Sequence, residues 1–355
     1  MNSLINNNMN KMKINKIFLG LAVVVVVVML NSCTNDDITF PDFDYQTVYF
    51  ANQYPVRTLV LGEDLFVDTS IDNLKRVEIK ATMGGAYENK NNIVIDFDLA
   101  DSLCDDLYFS NGDKIIPMPS SYYELASSQI TIPKGNSTGG VQVQLTDAFF
   151  ADPQSLVNTY VIPLVMNHVQ GADSILRGIP QVDNPDRLVA GDWTIQPKDF
   201  VLYAIKYINP WHGNYLRRGV DQITSVSGTT TSVRHAEYVN NDELVKVLTN
   251  SLNQSTLSLS IHNEAGILVY FDVLLTFAND GTCTLSGNTN AYEVSGNGKF
   301  VEKGEKKSFG DYDRNALYLD YTVNFKTLNL QYATKDTLVV RDRGVSPEYF
   351  EVVKK

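Results

Sequence analysis

From residue 257 to residue 325 the chain alternates between apolar and polar side chains. Leu257, Leu259 and Ile261 fall on one face, and Ile267, Val269, Phe271, Val273, Leu275 and Phe277 fall on one face of a longer run. Leu317, Leu319, Tyr321, Val323 and Phe325 repeat the pattern against Tyr318, Asp320, Thr322 and Asn324. A period of two sustained this long predicts half-buried antiparallel strands, because a helix cannot gather such a pattern onto one side. Asn279-Asp280-Gly281 supplies a hairpin turn within the series. Long strands joined by hairpins leave unpaired edges unless the sheet closes on itself or stacks on a second one.

The second half is therefore expected to form an antiparallel β-barrel, lipocalin-like in its up-and-down order, or a second β-sandwich, with strand length favouring the barrel. Residues 241–249 fit either a short helix or another strand. The first half reads differently. Short β-rich runs at 47–50, 58–61, 77–82, 93–99, 129–132, 141–145 and 160–166 are separated by turns such as Met83-Gly84-Gly85, Asn111-Gly112-Asp113 and Pro133-Lys134-Gly135-Asn136. Such spacing predicts an Ig-like β-sandwich. The fold class is all-β throughout.

The N-terminus carries an address. Lys11, Lys13 and Lys16 precede an apolar stretch over 17–30, including the valine run 23–28. That length suits the h-region of a signal, since a bilayer span takes about 20 residues. Leu30-Asn31-Ser32-Cys33 resembles a bacterial lipobox, which implies cleavage before Cys33 and lipidation of that cysteine. Several acyl chains on one residue would anchor the protein durably. Thr34-Asn35-Asp36-Asp37 is similar to the acidic surface-export signal of Bacteroidetes-type lipoproteins, although it also reads as a solvated tether. An ordinary secretory signal followed by a chance cysteine is the plainer alternative. The expected organisation is a signal peptide over 1–32, a tether over 33–45, an Ig-like domain over 46–180, a linker over 181–198 and a barrel or sandwich over 199–355.

Charge narrows the function classes. The chain has 29 basic and 41 acidic residues, a net charge of -12, and loss of residues 1–32 would remove three lysines and no acid. A nucleic-acid binder needs a basic face to neutralise phosphates, so none is expected. The histidines (His168, His212, His235, His262) do not pair at metal-ligand spacing. Asp311-Tyr312-Asp313-Arg314-Asn315 opens like a calcium loop but has Ala316 where glycine is needed and Thr322 where glutamate is needed. It reads as a polar turn, and no cofactor or metal is expected. There is no G-x-S-x-G elbow. Cys104 and Cys283 read as packed residues or free thiols. Asp96 and Asp98 share a strand face, while Asp272 and Asp320 interrupt apolar alternation, but none forms a recognisable acid pair of a glycosidase.

Aromatic residues are more suggestive. Sugar recognition uses flat aromatic faces beside polar groups that reach hydroxyls. Trp211, His212, Asn214, Tyr215, Arg217 and Arg218 follow the turn Asn209-Pro210 within a few residues of one another. They are the candidate ligand platform: Trp211 and Tyr215 to stack, His212, Asn214, Arg217 and Arg218 to bond hydroxyls or an acidic sugar. The competing structural role is an aromatic anchor with two arginines paired to nearby acids. Trp193 could equally pack between domains.

Val48-Tyr49-Phe50, Ile130-Thr131-Ile132-Pro133-Lys134-Gly135 and Tyr160-Val161-Ile162-Pro163-Leu164 resemble the N-terminal Ig-like domain of cell-surface lipoproteins in Bacteroidetes glycan-utilisation loci of the Sus type. The segment from Lys206 to Gly219, Asn315-Ala316-Leu317-Tyr318-Leu319-Asp320-Tyr321 and the run from Asp336 to Gly344 resemble the uncharacterised β-rich C-terminal domain of that family. The resemblance implies an outer-membrane lipoprotein, facing the cell exterior and held to the membrane through its lipid alone. It also implies a non-catalytic role, binding oligo- or polysaccharide beside an outer-membrane transporter complex. It supplies no binding residues. A structural or adhesive lipoprotein, a glycoside hydrolase and a small-molecule binder inside the barrel are the competing functions.

Overall fold

The computed structural model describes residues 43–355, and residues 44–355 pack as one compact unit. The expected signal, Cys33 and most of the tether lie outside the described residues. The fold is all-β, with a closed eight-stranded antiparallel barrel in the C-terminal region.

The N-terminal layers are built from β1 (Thr47–Tyr49), β2 (Pro55–Val60), β3 (Arg76–Gly84), β4 (Ile93–Leu99), β5 (Gln129–Ile132), β6 (Thr138–Leu145), β7 (Tyr160–Gln170) and β8 (Phe200–Ile208). Their hydrogen-bonded order is β1-β3-β6-β5-β4-β7-β8-β2. One register pair, Thr131↔Gly140, joins β5 to β6, so the sheet folds over at that seam. Gly139 sits there because a Cβ would lie 2.0 Å from the Thr131 carbonyl oxygen. Folding brings Val77, Ile79, Val141 and Val143 onto the same core as Ile95, Ile162, Leu164 and Ile205. The Tyr203 hydroxyl crosses between the layers to donate to the Glu78 carbonyl at 3.3 Å.

The boundary expected over 181–198 does not hold. β8 was assigned to the second domain, yet it pairs antiparallel with β7 and parallel with β2 inside the N-terminal sheet. Both of its faces are covered. Val201, Ile205 and Tyr207 face the main core, while Leu202 and Ala204 join Leu107, Phe109, Val161 and Phe350 in a second cluster. Phe350 arrives from the far end of the chain, where Glu348–Tyr349 pairs with β2 and Val352–Lys354 pairs with Leu107–Phe109. The barrel is thus inserted between β8 and a returning C-terminal tail.

The barrel strands are β9 (Gly213–Ser225), β10 (Gly228–Arg234), β11 (Glu243–Ser251), β12 (Gln254–His262), β13 (Leu268–Phe277), β14 (Thr282–Ser286), β15 (Glu293–Phe309), β16 (Tyr312–Phe325) and β17 (Leu330–Asp342). All but β10 form the eight-stranded meander, and β17 closes on β9 from Asn214↔Asp342 to Thr224↔Gln331. β10 extends the far half of β9. Of the stretch 241–249, all from Glu243 onward is strand, with Val245 and Val247 buried. The alternating residues fill the interior as expected: Leu257, Val273, Leu275, Leu317, Val323 and Leu338 are all fully buried.

Part of that interior is charged. Asp336 accepts from Arg217 Nε at 2.8 Å, Tyr321 Oη at 3.0 Å and Arg234 Nη2 at 2.6 Å. Asp221 accepts from Arg234 Nε at 2.6 Å and Thr334 Oγ1 at 2.8 Å. Two guanidinium groups and two carboxylates balance inside the wall, which offsets a desolvation cost that neither sign could bear alone.

A candidate binding cleft at the barrel mouth

A cavity of about 410 Å³ opens where a loop of the N-terminal layers meets the barrel, lined by residues 63–69, Lys303, Asp313, Arg314, Asn315 and 340–343. The loop is built to stay open. Gly62 N donates to Asn73 Oδ1 at 2.7 Å, and Thr69 Oγ1 returns to the Gly62 carbonyl at 2.8 Å. Gly62 has φ +85°, and a Cβ there would meet Pro210 at 2.8 Å, so this contact requires glycine. Asp64 Oδ1 then accepts from Phe66 N and Val67 N at 2.7 and 3.0 Å, fixing the tip. Its apolar side chains remain in solvent: Phe66 is 68% exposed and Val67 50%.

The opposite wall comes from the hairpin between β15 and β16. β15 shifts register twice before its tip, and Lys303 and Lys307 adopt left-handed φ of +51° and +44° at these irregularities. Lys303 N is held by Asn315 Oδ1 at 2.8 Å, and Lys307 N by Asp313 Oδ1 at 3.1 Å. That backbone bond, with the Lys306 ammonium, keeps the Asp313 carboxyl below its ordinary value. Phe66 meets Tyr312 edge-on, with ring centroids 6.2 Å apart. Arg314 lies beneath them with its guanidinium carbon 3.9 Å from the Phe309 ring centre.

Arg343 forms the floor. It is 5% exposed, and among the described residues it hydrogen-bonds only to backbone oxygens. Nε donates to His212 O at 2.7 Å, Nη1 to Glu63 O at 3.0 Å, and Nη2 to Leu61 O and Asn209 O at 3.0 and 2.6 Å. One side chain therefore ties the last barrel strand to the cleft loop and to the crossing at 209–212. Burial pulls its pKa below the usual arginine range.

The platform expected at 211–218 is mostly internal structure. Trp211 stacks on Phe277 at 3.8 Å with the rings 6° from parallel, so that face is taken. Tyr215 is 1% exposed and donates to the Trp211 carbonyl at 2.7 Å, which leaves it no surface for a sugar. His212 Nδ1 accepts from Thr249 N at 3.2 Å. Burial, and then the nearby Arg343, Lys206 and Lys246 cations, push its pKa down to about 4. Arg217 belongs to the interior charge cluster and also reaches Glu243 at 3.1 Å, while Arg218 pairs with Asp242 at 2.6 Å. Asn214 Nδ2 donates to Asp342 Oδ1 at 2.5 Å and so touches the rim of the cleft from behind. The competing structural reading of this segment is the one its contacts support.

Sequence reasoning missed the cleft loop. It did single out the segment 311–315, which lies in the opposite wall. The carboxylates it weighed are engaged on strand surfaces: Asp96 with Gln129, Asp98 with Asn167, Asp272 with Ser258 and Asn288, and Asp320 with Lys335.

Residues 210–344 match a family described as a domain of unknown function, DUF5627. Residues 43–173 match one described as a "-like, N-terminal domain". The two matches fall on either side of the strand β8 crossing. No curated protein matches the chain. A solved structure from Bacteroides ovatus, of unknown function, is 55% identical, covers 88% of this chain and 100% of its own, and superposes with a TM-score of 0.84. A second Bacteroides ovatus structure of unknown function is 12% identical over 86% of this chain and 99% of its own, at a TM-score of 0.37. The chain belongs to the family of the 55% identical Bacteroides ovatus protein, and the DUF5627 match falls on its barrel.

Proposed function

We propose that this protein is a non-catalytic surface lipoprotein that binds glycan in the cleft at the barrel mouth, beside an outer-membrane importer. The observation that carries the reading is the cleft itself. The solvent-exposed Phe66 ring lines a pocket edged by carboxylate, amide and backbone groups, and the half-exposed Tyr312 ring stands beside it. Flat apolar faces next to polar groups suit the two sides of a sugar ring. The floor is clamped by Arg343, so little order is lost on binding. Attachment through Cys33 would hold such a site near a transporter and make weak affinity useful through high local concentration.

The test is calorimetric titration of the purified chain with a panel of neutral and acidic oligosaccharides. The reading expects at least one to bind unchanged in chemistry, with affinity falling tenfold or more in Phe66→Ala. Ligand turnover, or binding that ignores Phe66 and Tyr312, contradicts it. Labelling with radioactive palmitate checks the anchor, and a Cys33→Ser variant that still takes up label contradicts that part.

A further inference from the structure

Arg314 is the cleft residue that the glycan reading leaves without a purpose. It is 7% exposed, and its single hydrogen bond among the described residues runs from Nη1 to the Arg341 carbonyl at 3.1 Å. Nε is buried with no partner among the described residues. Arg234 Nη1 and Arg218 Nη2 are also buried without a partner, but those arginines have an anion: Arg217 and Arg234 share Asp336 and Arg218 pairs with Asp242, while Arg343 fills its fork with carbonyls. Among the described residues Arg314 has the Phe309 ring at 3.9 Å, with the Tyr312 and Phe66 rings farther off at 5.5 and 5.8 Å, and no carboxylate. Burying a guanidinium without an anion is costly, and an aromatic face offsets only part of that cost.

The acids around it do not fill the gap. Asp64 caps its own loop, Asp313 turns to Lys306 and Lys307, and Asp342 is bonded by Asn214 and Gly344 N. Nη2 is neither bonded among the described residues nor sealed off like Nε, and a guanidinium edge with that donor turned to the cleft is complementary to a carboxylate carried on a sugar ring.

We infer that the cleft selects an acidic sugar, a uronate-type unit whose ring lies against Phe66 and Tyr312 while its carboxylate meets Arg314. This rests on the glycan reading and names its ligand class.

The experiment titrates the purified chain with oligogalacturonate, alginate and hyaluronan oligomers, each beside its carboxyl-reduced counterpart, and with poly-glutamate. The inference expects at least one uronate oligomer to bind, with affinity falling tenfold or more on carboxyl reduction and again as sodium chloride is raised. Arg314→Gln should abolish the difference between the acidic and reduced forms, while Arg314→Lys keeps part of it. The paired ligands make this comparison on the unaltered protein, so it stands even if Arg314→Gln misfolds. Reduced and acidic forms binding equally would overturn the inference and leave glycan binding intact. Binding of poly-glutamate with no glycan binding, or no binding to anything in the panel, would overturn both.

Discussion

Replacing Arg343 by Met should loosen the junction between the cleft loop and the barrel. The thioether side chain keeps much of the volume and removes every donor. Four carbonyls lose a charge-assisted bond, and those of Leu61 and Asn209 lie in buried surroundings. An unsatisfied buried acceptor costs about 1–3 kcal/mol. Asn209 O keeps a longer bond from His212 N at 3.3 Å, and removing the guanidinium recovers its own desolvation penalty. The expected net loss is therefore about 3 kcal/mol, a large share of the ~5–15 kcal/mol that holds a typical domain together. Arg343→Lys should fall between, since an ammonium can reach some of these oxygens but cannot span the fork. Urea unfolding followed by both tryptophan fluorescence and far-ultraviolet circular dichroism measures the loss and shows whether one transition splits in two. A Met variant within about 1 kcal/mol of the parent would refute the clamp.

Asp336→Ala should cost about 3–5 kcal/mol by leaving Arg217 and Arg234 facing each other without their shared carboxylate; urea midpoints check this, and a loss under 1 kcal/mol contradicts it. Trp211→Ala should destabilise by about 3 kcal/mol through the lost stack on Phe277, while leaving glycan affinity within twofold in the same titrations. His212 makes stability pH-dependent. Its folded pKa of about 4 lies below the ordinary value of 6.5, so the unfolded chain binds the extra proton between them, and its contribution falls as pH drops through that window, by about 3 kcal/mol in all. His212→Gln should flatten that part of the stability–pH curve, and an unchanged slope contradicts the assignment. Phe66→Ala should alter stability by less than about 0.5 kcal/mol, because the ring is exposed.

Much of the barrel was legible because period-two alternation survives in β13, β16 and the apolar part of β12, where one face is buried by the same closure that hides the edges. The charged interior was legible in principle as well. Arg217 and Asp221 occupy inward positions two and six residues after Tyr215, and Asp336 stands two before Leu338, so their register follows from their neighbours. Chemistry alone offered both Arg217 and Arg218 to a ligand, whereas closure of β17 on β9 made Arg217 an interior partner of Asp336 and left Arg218 to pair with Asp242.

The domain boundary was misplaced for a different reason. Residues 173–197 are rich in turn formers, which reads as a linker, whereas the near-continuous apolar run of β8 marks a strand buried on both faces. The cleft was beyond reach. Its walls come from 63–69, 303–315 and 340–343, and nothing in a local pattern announces that segments so distant in sequence will meet. Of its walls, 311–315 stood out as an incomplete calcium loop read as a polar turn, and 340–343 lay within a run noted for family resemblance alone.

The central claim is that ligand sits at the barrel mouth between Phe66, Tyr312 and Arg314. A crystal structure of the chain grown with the best-binding oligosaccharide of the panel addresses it directly. The account predicts a sugar ring against Phe66 and Tyr312 with an acidic group at Arg314. Density for the sugar at Trp211 or on the outer wall of the barrel, with this cleft left to solvent, would contradict it.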